Sequence, residues 1–186
     1  MIAKPRDVAA GILLLGVLPL MMAGGAAACG GAPQPGPAPA AGATSFPAAP
    51  ELGLTDLGGR RIDLVDYAGR TVIVNFWATW CEPCRREIPS LVALHGELAD
   101  RGLEVVAVSI DSDPAAVERY IERSKLPFRV AVDQDQSAAR RYGVTTVPAT
   151  FVVNRDGRVV DRVDGEVDWT RSDLLRSVHA LVEGPG

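Results

Sequence analysis

Two stretches of this chain run apolar almost without a break, Thr71 to Trp77 (TVIVNFW) and Val105 to Ile110 (VVAVSI). A strand with one wet face alternates apolar and polar residues. Unbroken runs of this length instead predict strands covered on both faces, as in a parallel sheet packed between helices. Between the two runs the period changes. Ile88, Leu91, Leu94 and Leu98 recur every three or four residues, which predicts a helix from about Cys81 to Arg101, stopped at Gly102. A second helix starts at Asp113-Pro114, an N-cap followed by proline in the first turn, with Val117, Tyr120 and Ile121 as its apolar stripe. Phe128 to Val132 reads as a further strand and Ser137 to Tyr142 as a short helix ending at Gly143. Leu174, Leu175, Val178, Leu181 and Val182 mark a last helix. Two hairpins complete the pattern. One joins Leu52–Thr55 to Arg61–Leu64 about Gly58-Gly59, and the other joins Ala149–Val153 to Arg158–Val163 about Asn154-Arg155-Asp156-Gly157. The predicted order is β-β-β-α-β-α-β-α-β-β-α, an α/β sandwich with a mixed central sheet flanked by helices.

The first 50 residues follow other rules. Lys4 and Arg6 precede an apolar run, Val8 to Ala23, that closes on Ala26-Ala27-Ala28. A positive start, an apolar middle and a small-residue exit make residues 1–28 a secretory signal or membrane anchor. The run reaches the roughly 20 residues of a membrane span only when counted through Ala28. Ala26-Ala27-Ala28-Cys29-Gly30 resembles a bacterial lipoprotein box, with Ala26 where Leu is usual, and the resemblance implies lipidation of Cys29. A lipid anchor is the preferred reading, beside a retained span and simple cleavage; all three export the rest of the chain. Residues 29–50 are almost entirely Gly, Ala, Pro and Ser/Thr, with Pro33, Pro35, Pro37 and Pro39 at alternate positions. Such a stretch buries too little apolar surface to offset its ordering entropy. It predicts an extended tether, at about 3.1 Å per residue, ahead of a domain over 51–186.

A net charge of −4 supplies no basic face for neutralising phosphates, so nucleic acid is not an expected partner. Two histidines and three cysteines leave little material for a metal cage, and neither a metal nor a cofactor is expected. Cysteine is also too sparse for a disulfide scaffold. A monomer is expected.

The chemistry lies in Trp80-Cys81-Glu82-Pro83-Cys84, which follows a predicted buried strand and opens a predicted helix. At a helix N-terminus the unpaired amides and the dipole favour an anion, so a thiolate on Cys81 is stabilised there. Cys81 is the expected nucleophile. Cys84, one turn in and less exposed, is the expected resolving thiol. Pro83 suits the first turn, where its missing N–H has no partner to lose. Half a zinc site is disfavoured because no second CxxC or CxxH appears. A structural disulfide is disfavoured because so short a loop constrains little chain entropy.

Asn75-Phe76-Trp77-Ala78-Thr79-Trp80-Cys81-Glu82-Pro83-Cys84-Arg85-Arg86-Glu87-Ile88-Pro89 resembles the TlpA/ResA group of thioredoxin-like proteins. The likeness runs from about residue 50 to 183 and includes the N-terminal hairpin and the helix and strand inserted after Ile110. It implies an extracytoplasmic thiol-disulfide oxidoreductase on a thioredoxin-like sandwich. It also implies protein disulfides as substrates, such as the haem-attachment cysteines of apocytochrome c, and recharging by a membrane thiol donor.

Further positions follow from the resemblance and from local chemistry. Glu87 falls three residues after Cys84, on the same helical face. In the resembled group a glutamate here assists proton transfer, and a carboxyl in an apolar pocket has a raised pKa suited to that work; a solvated helix glutamate is the plainer alternative. Ordinary thioredoxins carry a buried Asp where this chain has Asn75, which cannot titrate. The resemblance also makes the Val147–Pro148 bond cis and sets it against the cysteines, with Val147 and Pro148 touching substrate; otherwise such a proline is a strand-edge feature. Trp80 is expected to flank the site and Trp77 to lie in the core. Glu82 is expected to raise the Cys81 pKa by roughly half a unit, favouring a reductant, with Arg85 and Arg86 opposing it. His95 and His179 receive no role.

Two other readings compete. A peroxiredoxin-type peroxidase wants a threonine three residues before its cysteine on a proline-led loop, whereas Thr79 is two before Cys81. A copper-carrying or scaffold lipoprotein on the same fold usually spaces its cysteines by three residues and adds a nearby histidine.

Overall fold

A computed structural model describes residues 46–184. The signal or anchor over 1–28, Cys29 and the tether through residue 45 lie outside the described residues. Among those described, no helix is long and apolar enough to cross a membrane.

The hairpin forms as β1 (Leu54–Thr55) and β2 (Arg61–Ile62), antiparallel, with Leu54 opposite Ile62 and both facing inward. Its turn carries Gly59 at φ +77°, a conformation that suits glycine. A short 3-10 turn over Leu64–Tyr67 follows, closed by a capping box between Asp63 and Asp66; the hydrophobic pattern did not predict it, because one turn is too short to show a period.

The main sheet has β3 (Thr71–Trp77) at its centre, with all seven residues buried. β4 (Leu103–Ser109) and β5 (Arg129–Val132) extend it on one side in parallel, while β6 (Ala149–Val153) and β7 (Val159–Asp164) extend it antiparallel on the other, giving the order β5-β4-β3-β6-β7. β4 begins two residues before the apolar run does. Its register with β3 pairs Thr71 with Leu103, and the charge of Glu104 that interrupts the pattern is met by Arg70 at 2.6 Å.

Successive side chains on β3 point to opposite faces, and each face has its own core. Ile73 and Trp77 pack with Val105, Ala107 and Val152 against α1 (Glu82–Leu98), α2 (Pro114–Ser124) and α4 (Ser172–Glu183). Val72, Val74 and Phe76 pack with Val106, Val108 and Phe151 against the hairpin, the 3-10 turn and α3 (Ser137–Arg141). The helix expected to reach Arg101 leaves α geometry at Leu98 and tightens into a 3-10 turn over Ala99–Arg101. Gly102, at φ +107°, then ends it. Asp113 caps α2 through the Ala115 N–H, as Asp113-Pro114 predicts.

The residues leading into the domain are already bound to it. Val159 donates to the Pro47 carbonyl at 3.0 Å, Ala49 donates to Gly157 at 2.9 Å, and the Tyr142 hydroxyl donates to Pro50 at 2.7 Å. Residues 46–50 therefore belong with the domain rather than with the tether expected over 29–50. Backbone pairing needs no apolar side chain, so composition alone does not reveal it.

Candidate active site

β3 ends at Trp77, which is buried against the Tyr120 ring at 5.0 Å, and the chain crosses Ala78, Thr79 and Trp80 to reach α1. Asp111, just past the end of β4, braces this crossing. It accepts the Thr79 N–H at 2.9 Å, the Thr79 hydroxyl at 2.6 Å and the Ser109 hydroxyl at 2.6 Å. The carboxyl ends of adjacent parallel strands are where α/β sheets present their sites.

Cys81 is the N-cap of α1, and its Sγ accepts the Cys84 N–H at 3.2 Å, where a capping oxygen would otherwise stand. Pro83 occupies the first turn, where no N–H is required. Cys81 and Cys84 are joined as a disulfide with Cα atoms 5.3 Å apart. Both cysteines are buried, Cys81 at 5 % exposure and Cys84 at 1 %, so Cys81 is the less covered of the two. Once the pair is reduced, the amide and the helix dipole both favour negative charge on Cys81.

The opposite wall is the turn into β6. The Val147–Pro148 peptide bond is cis, and the Val147 carbonyl oxygen lies 3.6 Å from Cys81 Sγ. A disulfide sulfur has no proton to give, so this is a contact that becomes a hydrogen bond only in the thiol form. Pro148 is buried and accepts from the Gly165 N–H at 2.9 Å, while Val147 is half-buried. Trp80, 67 % exposed, stands beside the pair.

Glu82 is exposed and paired with both Arg85 and, at 3.6 Å, Arg86. The Arg85 hydrogen bond and charge hold its carboxyl below the usual range. Glu82 stays ionised, yet two cations lie against it, so the field expected to raise the Cys81 pKa is largely cancelled at its source.

Glu87 is not a solvated glutamate. It is 2 % exposed and points inward, one turn beyond Cys84. Oε1 accepts the Trp169 indole N–H at 2.8 Å, and Oε2 accepts from Asn75 Nδ2 at 3.3 Å. Asn75 also donates to the Thr150 hydroxyl at 2.8 Å, while its own Oδ1 is buried without a partner. Burial pushes the Glu87 carboxyl up to about 7, against hydrogen bonds from Trp169, Asn75 and the Val167 backbone that favour the charged form.

The fold thus gathers Trp80, Cys81, Glu82, Pro83, Cys84, Glu87, Val147 and Pro148 around one helix start. Asp111, Thr150 and Trp169 were not foreseen from the sequence. Ser109 and Asp111 mark the end of a buried strand as polar without showing what they bind, and Trp169 lies 82 residues beyond Glu87, with nothing local to link the two. His95 sits toward the other end of α1, on the order of 20 Å from Cys81 at 1.5 Å per residue, and packs on Phe128, while His179, on α4, pairs with Glu97 of that same end.

Comparison with known proteins agrees with this geometry. The family model described as the AhpC/TSA family matches residues 47–162. Thiol-disulfide oxidoreductase ResA of Bacillus thuringiensis subsp. konkukian is 36% identical over 118 residues, covering 63% of this chain and 68% of that protein. ResA of Geobacillus thermodenitrificans is 35% identical over 133 residues, covering 72% and 75%. A crystal structure of a putative thiol:disulfide interchange protein DsbE from Chlorobium tepidum superimposes with a TM-score of 0.70 at 28% identity, covering 74% of this chain and 96% of that one. With a paired Cys81 and Cys84 at the start of a helix on a thioredoxin-like sheet, the chain belongs to the AhpC/TSA family as a ResA-like thiol-disulfide oxidoreductase.

Proposed function

We propose that this protein is a membrane-tethered, extracytoplasmic reductant of disulfides in exported proteins, with Cys81 as nucleophile, Cys84 as resolving thiol and Glu87 as the carrier of the Cys84 proton. The observation that carries the reading is the position of Cys81 Sγ, capped by the Cys84 amide at 3.2 Å and set against the Val147 carbonyl at 3.6 Å. Once the pair is reduced, the amide and the helix start favour an anion on that sulfur, and the turn beside it supports a client backbone lying there. Among the described residues the Val147 N–H has no backbone partner, so it is free to pair with a client strand.

In the reducing direction the Cys81 thiolate attacks one sulfur of a client disulfide. A mixed disulfide forms and the client's other sulfur leaves as a thiolate, which takes up a proton. Cys84 then loses its proton to the Glu87 carboxylate and attacks Cys81 Sγ. The second client sulfur leaves and receives that proton. Two electrons pass to the client, the Cys81–Cys84 disulfide remains, and a dithiol of a membrane protein restores the reduced pair. Trp80, Glu82, Pro83, Val147 and Pro148 form the rim that meets the client. The haem-attachment cysteines of apocytochrome c are the proposed client class, and lipidated Cys29 the proposed anchor.

Two observations speak against the alternatives. The Thr79 hydroxyl is engaged by Asp111 rather than by Cys81, which deprives a peroxidase of its activating donor. His95 lies toward the far end of α1 and His179, on α4, pairs with Glu97 there, so neither offers Cys81 the imidazole a copper carrier wants.

The test is Cys84→Ser expressed as the full chain. Covalent complexes through Cys81 that dissolve on reduction, containing exported proteins with paired cysteines, are the expected result. No trapped protein at all, or capture confined to cytoplasmic proteins, would sink the reading.

A further inference from the structure

We propose that Trp169, on the loop between β7 and α4, is a positioning residue for Glu87, fixing the orientation and the protonation balance of that carboxyl through a single indole N–H. The inference rests on the reading of Glu87 as the acid–base group.

Trp169 is held from two sides. Its ring nitrogen donates to Glu87 Oε1 at 2.8 Å, and its backbone N–H donates to Ser90 Oγ at 3.1 Å. Ser90 in turn donates to the Glu87 carbonyl at 2.8 Å, so the backbone of the loop and the backbone of the helix share one hydroxyl. Three residues before Trp169, Glu166 meets Arg86 through Nε at 3.0 Å and Nη2 at 2.6 Å. An exposed pair of this kind adds little stability, but here it sets where the loop lies on α1. Trp169 is itself fully buried, so its indole cannot turn to water.

The two side-chain donors on Glu87, which it holds beside the Val167 backbone, differ in kind. An indole N–H can only donate, so it always favours the ionised carboxylate. An amide carries both a donor and an acceptor. Asn75 can serve the protonated acid by turning its unpartnered Oδ1 toward it. Asn75 therefore tolerates either state, whereas Trp169 biases one. The other charged or titratable groups around Glu87 are Cys81 and Cys84 at the helix start, Arg86 beside it and Glu166 on the loop; Thr150 on β6 carries no charge.

The test is the pH dependence of thiol alkylation in the reduced full chain, for the native protein, Trp169→Phe, Glu87→Gln and the double variant. Phenylalanine keeps an aromatic ring and removes only the donor. A hydrogen bond to a charged group is worth enough to move the Glu87 inflection upward by about one unit in Trp169→Phe. The double variant is expected to match Glu87→Gln, in which the inflection is gone. A Trp169→Phe profile that overlies the native one, with the inflection abolished in Glu87→Gln, overturns the positioning role alone. An inflection that survives Glu87→Gln instead removes the acid–base reading beneath it. A second measurement needs no folded Trp169 variant. The Trp169 indole proton resonance in the native protein should titrate with Glu87 between about pH 5 and 9 and stay flat in Glu87→Gln; a flat native resonance overturns the proposal.

Discussion

Asp111 holds Thr79 by both its backbone and its side chain, at 2.9 and 2.6 Å, two residues before the reactive sulfur. The strand after which Asp111 sits is the neighbour of the one that Thr79 follows, so a single carboxylate joins two strand ends and sets the path into α1. Asp111→Ala leaves the Thr79 amide and the Thr79 and Ser109 hydroxyls without their acceptor. A loss of about 2 to 3 kcal/mol is expected, read as a lower urea midpoint with an unchanged slope. Disulfide exchange should slow as well, because Cys81 loses its brace.

Glu87 gives the folded state an unusual pH dependence. Its carboxyl is raised to about 7 in the fold from 4.5, so between those values the native state holds a proton that the unfolded chain releases. The contribution to stability is complete below about pH 4.5 and is lost as pH rises through about 7, amounting to roughly 3 kcal/mol at most. Glu87→Gln removes that loss. Urea unfolding at pH 5 and pH 8 should show the variant gaining on the native protein at the higher pH; parallel curves at both would refute the raised carboxyl.

Glu82 should matter less than its place between the cysteines suggests. Arg85 and Arg86 already oppose its charge. Glu82→Gln should lower the Cys81 titration midpoint by well under the half unit expected of an isolated charge. Arg85→Ala should raise it by exposing Glu82. Alkylation rates of the reduced protein across pH measure both, and a shift of a full unit in Glu82→Gln would contradict the pairing.

Trp80 is 67 % exposed and packs into neither core. Trp80→Ala should leave stability within about 0.5 kcal/mol while slowing mixed-disulfide formation with a protein client several-fold. Unchanged client kinetics would remove Trp80 from the docking rim.

The strands and helices were legible because each has a period that burial imposes. Thr71–Trp77 and Ala149–Val153 appear in the structure with the bounds their apolar runs predict. The start of the long helix was equally plain, since Cys81, Pro83 and the stripe from Ile88 to Leu98 agree. What escaped were relationships between distant polar residues. Nothing near Glu87 points to Trp169, and nothing near Thr79 points to Asp111, because hydrogen bonds across 82 and 32 positions are made by the fold rather than by spacing. The 46–50 segment escaped for a related reason: it is bound through its carbonyls and amides, which every sequence possesses.

That segment fixes where the chain enters the domain. Phe46 to Ala49 join the chain to Gly157–Val159, at the beginning of β7. β7 runs alongside β6 in the same sense as β3, so its beginning lies at the end of the sheet away from Cys81. Six residues of strand separate the two ends by about 20 Å. The chain therefore enters this domain at the pole of the sheet opposite its reactive sulfurs, which keeps the rim around Cys81 clear of the point of entry.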